Sequence, residues 1–201
     1  MTTTTDGRRL RGERSRRAIL EAAATLSSVE GLEGLSLGRL AEHLGMSKSG
    51  LYAHFDSKED LQLAVVETAV AMYGRDVMAK AAEHEPGIPQ IVAFADTFLE
   101  YIATGPFPGG CFFIASFLDP ANLRRPVKDA LARAQKTLLD FFATNVDVAR
   151  RKGDLPEDID PSEMAYEIDA ILVGADVNFV LFEDPVRLER ARASVRRLLG
   201  G

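Results

Sequence analysis

Residues 35–61 read LSLGRLAEHLGMSKSGLYAHFDSKEDL, and this stretch decides the fold of the N-terminal part of the chain. Two short apolar stripes at helical spacing lie on either side of Gly45, and the residues that precede them are Ser36 and Ser47. Serine is a preferred helix N-cap, and a glycine between two helices permits the positive φ of a sharp turn. The stretch therefore predicts two short helices that meet at Gly45, as in a helix-turn-helix.

The second of these helices is expected to present a surface that suits the major groove of DNA. Its outward residues are short hydroxyls, a cation, a phenol and an imidazole, and none is acidic: Ser47, Lys48, Ser49, Tyr52 and His54. Such groups donate hydrogen bonds to phosphates and to base edges. An adaptor that binds a protein partner through a helical hairpin would show a similar polar surface, so these residues alone leave both functions open.

The wider pattern around the hairpin resembles the DNA-binding domain of the TetR family of transcriptional regulators. The resemblance covers residues 14–62 and rests on many matches at fixed spacing: Ile19–Ala23, Gly31, Leu35, Ser36, Leu40, Ala41, Leu44, Gly45, Ser47, Leu51, Tyr52, His54, Phe55, Lys58, Glu59 and Leu61. It implies a homodimeric repressor that binds a partly palindromic, double-stranded DNA operator and leaves it when a small-molecule effector binds.

The same resemblance assigns DNA contacts to particular positions of this chain. Carried over residue by residue, they fall on Ser36, Ser47, Lys48, Ser49, Tyr52, His54 and Lys58. The chain departs from the family at Ala53, where a second aromatic residue often follows Tyr52. The resemblance therefore does not say which bases are read.

The remaining sequence predicts one helix after another and no sheet. Helix starts are indicated at Ser57, Asp160 and Asp184, and breaks at Pro86–Pro89 and Gly153. We therefore expect an all-α chain of about nine helices. A basic arm and a three-helix DNA-binding domain would occupy residues 1–56, and a helical bundle for ligand binding and dimerisation would occupy residues 57–201.

The charge is distributed unevenly along the chain. The net charge is −6, yet residues 1–17 hold six arginines against two acidic residues, a net +4. Residues 61–201 hold 15 basic and 21 acidic residues, a net −6. A basic tip on an acidic body suits a protein that touches phosphate at one end, although a solvated basic tail has the same composition.

Aromatic residues cluster in the middle of the chain and predict an effector site. Six of them flank a glycine-rich loop, Gly105–Gly110, that we expect to act as a hinge: Phe94, Phe98, Tyr101, Phe112, Phe113 and Phe117. All but Phe112 recur at helical spacing within their own segment. Rings around an interrupted helix can enclose a cavity for an apolar or aromatic effector, rather than a sugar or a nucleotide. They also suit an ordinary bundle core, so this assignment stays open.

The last two predicted helices, residues 161–199, carry apolar stripes with small residues at Gly174 and Ala175. Small residues let helices approach closely, so these segments predict a four-helix interface between two copies. Burial of the same stripes within one chain is the alternative.

Other function classes find little support in the sequence. The lone Cys111 excludes an internal disulfide and is either a buried filler or an electrophile sensor. The three histidines lie far apart, and no catalytic or phosphate-binding motif is found, so we expect neither an enzyme nor a metal or cofactor. No segment predicts a signal peptide or a membrane span, which favours a cytoplasmic protein without membrane contact.

Overall fold

The computed structural model describes residues 3–117 and 120–201, with side chains described from residue 12 onward. This part of the chain holds nine helices and no strand, which confirms the all-α prediction. The helices are α1 (Thr3–Gly34), α2 (Leu37–His43), α3 (Lys48–Tyr52), α4 (58–81), α5 (Ile88–Thr104), α6 (Phe112–Phe117), α7 (Arg125–Lys152), α8 (Pro161–Phe182) and α9 (Val186–Leu198). Three arginines of the basic segment at residues 1–17, Arg8, Arg9 and Arg11, lie outside the residues whose side chains are described.

The helix-turn-helix forms at the caps that the sequence predicts. The hydroxyl oxygen of Ser36 accepts a hydrogen bond from the Arg39 N–H at the start of α2, and that of Ser47 accepts one from the Gly50 N–H at the start of α3. Gly45 has a φ of 62°, a conformation that favours glycine. Leu40 and Leu51 are fully buried, so the two short helices pack through their apolar faces.

Helix α4 leads from the DNA-binding region into the body of the protein. It begins after Ser57, whose hydroxyl oxygen accepts the Asp60 N–H, and a π-helical turn at Gly74–Met78 interrupts its regular α-helix. Its buried face packs against α1 and α7. The helix is therefore a continuous connection between the two regions.

Two polar side chains fasten α4 to the end of α1. The Gln62 side-chain amide donates a hydrogen bond of 2.8 Å to the buried Leu32 carbonyl oxygen. The Lys58 ammonium donates to the carbonyl oxygen of Glu33 at 2.6 Å and to its carboxylate at 2.8 Å. Together these bonds satisfy carbonyls at the C-terminal end of α1 that have no partner within the helix.

The body is a bundle in which α7 and α8 pack side by side, with α9 against α8 and α5. Phe94 and Phe142 are fully buried at its centre with their rings edge-on, 4.9 Å apart. At the periphery, Asp96 on α5 accepts hydrogen bonds from Arg192 at 2.7 Å and Arg196 at 2.8 Å. These contacts hold the last helix onto the bundle.

The glycine-rich loop between α5 and α6 packs tightly against α1 instead of hanging free as a hinge. A methyl group at Gly109 would lie 1.9 Å from the Ser28 carbonyl oxygen, so only glycine fits there. The Gly109 N–H points to the Ser28 hydroxyl at 3.4 Å, and the Cys111 N–H donates to the Asp176 carboxylate of α8 at 2.8 Å. We call these four residues, Ser28, Gly109, Cys111 and Asp176, the α1–α8 junction.

We predict that Gln62→Ala lowers the free energy of unfolding by about 1–3 kcal/mol, because it leaves the buried Leu32 carbonyl without a partner. Urea unfolding followed by circular dichroism measures the change. Gln90→Ala is the control, since Gln90 makes the same type of bond to the His84 carbonyl in an exposed position, and its effect should stay within about 0.5 kcal/mol. Equal losses for both variants would contradict a fastening role for Gln62.

Candidate functional site

The surface of the helix-turn-helix presents most of the predicted DNA contacts. Ser47, Lys48 and Ser49 are exposed, and Tyr52 exposes 57% of its surface although it is a large aromatic residue. Ser36 lines the same surface depression as Lys48, which lies over Gly38 at the start of α2. Hydroxyls and a cation are therefore grouped on one outer face, as a contact with phosphates and bases requires.

Two other predicted contacts are placed differently. Helix α3 ends at Tyr52, so His54 lies in the following turn, half-buried beside Phe55, and not on the outer face of the helix. Lys58 uses two of its three N–H donors on Glu33, which gives it a role in the α1–α4 contact that sequence reasoning missed. Contacts of both residues with DNA stay predictions.

The end of the basic segment is partly engaged within the protein. The guanidinium of Arg16 lies over the Phe55 ring, 5.1 Å from its centre. Arg17 pairs with Glu21 at 2.9 Å, one turn along α1. Arg16 of the predicted basic tip therefore also packs on the core residue Phe55, whereas the exposed Arg17 pair stays within α1.

A cavity of about 270 Å³ lies inside the body between α4, α5, α6, α7 and α8. Four of the six predicted effector residues line it: Phe94, Phe98, Phe113 and Phe117. Tyr101 and Phe112 do not, because Tyr101 packs edge-on against Tyr73 and Phe107, and Phe112 is fully buried between its neighbours. The structure therefore places four of the predicted effector residues on the cavity wall and the other two in the core around it, and the contact of all six with an effector stays a prediction.

Sequence reasoning missed the residues that other helices contribute to the cavity. Tyr73 on α4 stands among four rings whose centres are 5.7 to 6.3 Å from its own: Phe94, Phe98, Tyr101 and Phe113. Gln135 on α7 and Asp169 on α8 also line the wall. The available signal was Asp169, which lies beside the buried apolar stripe of α8, because charged residues are uncommon at partly buried positions unless they have a partner.

The polar groups of the cavity meet at the contact of α7 with α8. The Gln135 side-chain amide donates a hydrogen bond of 2.9 Å to the Asp169 carboxylate. Burial nevertheless raises the pKa of Asp169 above its ordinary value. A cavity lined mostly by rings thus holds one carboxylate at its edge.

Comparison with known proteins decides the family. The family model described as "Tetracyclin repressor-like, C-terminal domain" matches residues 87–195, more than half of the chain, and the model described as "Bacterial regulatory proteins, tetR family" matches residues 19–65. The chain belongs to the TetR family. It is a transcriptional regulator with a DNA-binding helix-turn-helix and a ligand-binding C-terminal domain, and this family consists of regulators rather than enzymes.

Individual relatives agree with this assignment. The regulator is 26% identical over 170 residues to the "HTH-type transcriptional repressor ComR" of Escherichia coli K12, covering 81% of this chain and 78% of that one. Its fold is similar to that of a TetR regulator from Chloroflexus aurantiacus, with a TM-score of 0.86, 24% identity and coverage of 94% and 96%. AibR, solved with isovaleryl coenzyme A and operator DNA, has a TM-score of 0.72 at 22% identity, with coverage of 92% and 97%.

The described part of the TetR regulator shows neither a candidate membrane span nor a candidate metal site. None of its described helices is both long and apolar enough to cross a bilayer. No three or more His, Cys, Asp or Glu side chains described here are grouped so that they could hold a metal ion.

The Cys111 thiol lines the cavity, but its surroundings oppose a reactive role. The residue is buried, and burial raises the pKa of the thiol to about 12, with the nearby Asp176 carboxylate contributing in the same direction. A thiol with so high a pKa stays protonated at neutral pH, whereas nucleophilic cysteines need a thiolate. The structure therefore favours the interpretation of Cys111 as a buried apolar filler of the regulator.

Asp176 places a carboxylate in the interior at the α1–α8 junction. It is only 3% exposed, and burial raises the pKa of Asp176 to about 6, against the opposing effect of the Cys111 N–H bond. This pKa is higher in the folded state than in the unfolded state. The contribution of Asp176 to the free energy of unfolding is therefore fully present at a pH below the pKa of the unfolded chain. It is lost as the pH rises through about 6.

We predict that replacing this carboxyl removes that pH dependence. The free energy of unfolding of the native regulator, minus that of Asp176→Asn, should fall by about 2 kcal/mol between pH 4 and pH 7. Asparagine keeps an oxygen for the Cys111 N–H but does not titrate. Urea unfolding at each pH measures the difference, in which the effects of the other acids cancel. A difference that stays constant with pH would show that Asp176 does not titrate in this range.

Proposed function

We propose that this regulator is a repressor that binds a palindromic DNA operator as a homodimer and releases it when a small, largely apolar effector fills the cavity. The observation that carries the proposal is the α1–α8 junction. One of its residues, Cys111, lines the cavity, and another, Ser28, belongs to the first helix of the DNA-binding region. The description of the relative ComR as a repressor supports repression, rather than activation, of transcription. We place this action in the cytoplasm.

The size and lining of the cavity support a small effector. Its volume of about 270 Å³ lies just below the range of about 300–1,000 Å³ that is usual for ligand pockets. Aromatic rings form much of its wall, and its polar groups are few. Such a cavity fits one ring with a short chain better than a sugar or a nucleotide.

Release requires that the effector prefers one conformation of the regulator. An effector shifts an equilibrium only by the difference between its affinities for the two states. A ligand that displaces α6 or Cys111 would disturb the contact of Gly109 with Ser28, since the loop is continuous with α6. A coupling of about 1–3 kcal/mol would lower the affinity for the operator roughly 5- to 150-fold.

Dimerisation is supported by an apolar face of α8 that the described residues leave exposed. The residues Tyr166, Val177 and Leu181 are spaced by whole turns of the helix and so lie on the same side of α8. Tyr166 and Leu181 expose 68% and 70% of their surfaces. Gly174 on the same stretch has open space around it, which permits close approach of another helix. A second copy would cover this face and set two α3 helices one turn of DNA apart, about 34–36 Å.

The alternative of an adaptor that binds a protein through the same hairpin makes a different prediction about salt. DNA binding through phosphates weakens steeply as salt rises, because counterions are released. Binding that is indifferent to salt would favour the adaptor.

We predict that Lys48→Ala and Tyr52→Ala weaken DNA binding without unfolding the regulator, because both side chains lie on the exposed face of α3. Lys48→Ala should weaken all sequences alike and reduce the salt slope by about one unit. Fluorescence anisotropy with a duplex selected from a random pool measures both effects. Lys136→Ala, which removes an exposed cation of α7 paired with Asp140, is the control and should bind as the native protein does. If both α3 variants bind the duplex with the affinity of the native protein, the assignment of α3 as the DNA-binding face is wrong.

We predict that Leu181→Glu gives a monomer that loses specific DNA binding, because a carboxylate would have to be buried in the dimer interface and each half-site alone is weak. Sedimentation velocity measures the state of association. Ala82→Glu adds the same charge to an exposed position at the end of α4 and should remain dimeric. If Leu181→Glu remains dimeric, the dimer interface does not lie on this face of α8.

A further inference from the structure

Of the described residues that line the cavity, one carries a carboxylic acid and none is cationic. The acid is Asp169, and the wall around it consists of rings, aliphatic side chains, Gln135, Thr137 and the Cys111 thiol. A carboxylate in such surroundings is costly, because the apolar wall replaces part of its hydration. Its presence therefore calls for a partner.

Within the described part of the chain, Asp169 has only one hydrogen-bond partner. Gln135 donates to one carboxylate oxygen, Oδ2, at 2.9 Å. The other oxygen, Oδ1, has no partner there, and no lysine or arginine of the described residues forms an ion pair with this carboxylate. Burial is the main cause of its raised pKa, and no nearby cation acts in the opposite direction. Asp169 is half-buried, so its charge is compensated by this neutral amide and by water, but by no cation of the described residues.

The rings of the cavity are suited to a cation as well as to an apolar group. Tyr73, Phe94, Phe98, Phe113 and Phe117 line the same space as Asp169. Aromatic faces carry negative charge density and attract an ammonium within about 6 Å of the ring centre. A carboxylate and aromatic rings around one space favour the same ligand charge.

We propose that the effector is a small lipophilic amine, one aromatic ring or short alkyl body carrying an ammonium group, whose N–H donates to Asp169 while its body lies among the rings. The proposal rests on the proposed function, since it takes the cavity as the effector site. It narrows the effector from an apolar molecule to a cationic amphiphile and excludes anions such as carboxylates. The negative charge of Asp169 would repel such anions, and the repulsion is strong because the cavity is poorly hydrated.

The test uses three probes that differ only at one end: 4-phenylbutylamine, 4-phenylbutan-1-ol and 4-phenylbutanoate. Isothermal titration calorimetry with the full chain should rank the amine about tenfold or more above the alcohol and the alcohol above the carboxylate. In Asp169→Asn, which keeps an oxygen for Gln135, the amine should lose about tenfold or more and the alcohol should stay within about twofold. Asp169→Glu keeps the charge and should keep the preference for the amine.

The ranking in the native regulator needs no variant, so the proposal can be refuted even if Asp169→Asn fails to fold. Equal affinities of the amine and the alcohol, or an amine affinity unchanged in a folded Asp169→Asn, would overturn it. The absence of binding by all three probes would overturn it together with the assignment of the cavity as the effector site.

Operator binding, followed by anisotropy in the presence of each probe, separates this proposal from the proposed function. An amine that binds through Asp169 but leaves operator affinity unchanged supports the amine site and refutes ligand-triggered release. Release by the alcohol as effectively as by the amine, at equal affinities, refutes the amine preference and supports the release.

Discussion

The close contact between Gly109 and the backbone of Ser28 is the constraint on which the rest of the account depends. A side chain at position 109 would collide with the Ser28 carbonyl oxygen, so the backbone of the loop after α5 lies directly against the backbone of α1. The loop continues through Cys111 into α6, and both line the cavity. Interiors packed this closely transmit small shifts instead of absorbing them. The DNA-binding region therefore meets the cavity that we propose for the effector through backbone contacts as well as through α4.

Helix α8 brings the other parts of the mechanism together. Asp169 and Asp176 lie seven residues apart and so share one face, with the first acid at the cavity and the second at the α1–α8 junction. The adjacent face, roughly a quarter turn around the helix, carries the exposed apolar residues that we assign to the dimer. In the mechanism that we propose, a change in the charge or hydration of the cavity reaches the junction and the dimer interface through this one helix.

Local signals in the sequence account for much of the fold and only part of the site. Serine caps and the turn at Gly45 depend on neighbours along the chain, and the structure confirms them. The polar wall formed by Gln135 and Asp169 depends on which faces of α7 and α8 meet, and no local pattern encodes that contact. Lys58 shows the same limit. Its position suggests a phosphate contact, whereas its pairing with Glu33 follows from the packing of α4 on α1.

Amide hydrogen exchange at the α1–α8 junction tests the central claim most directly, because coupling between two sites is reciprocal and needs no known effector. The full chain would be compared with and without a duplex selected from a random pool. The account predicts that DNA slows exchange of the Gly109 and Cys111 amides, which donate to Ser28 and Asp176. Protection confined to α2 and α3, with unchanged exchange at these two amides, would contradict it.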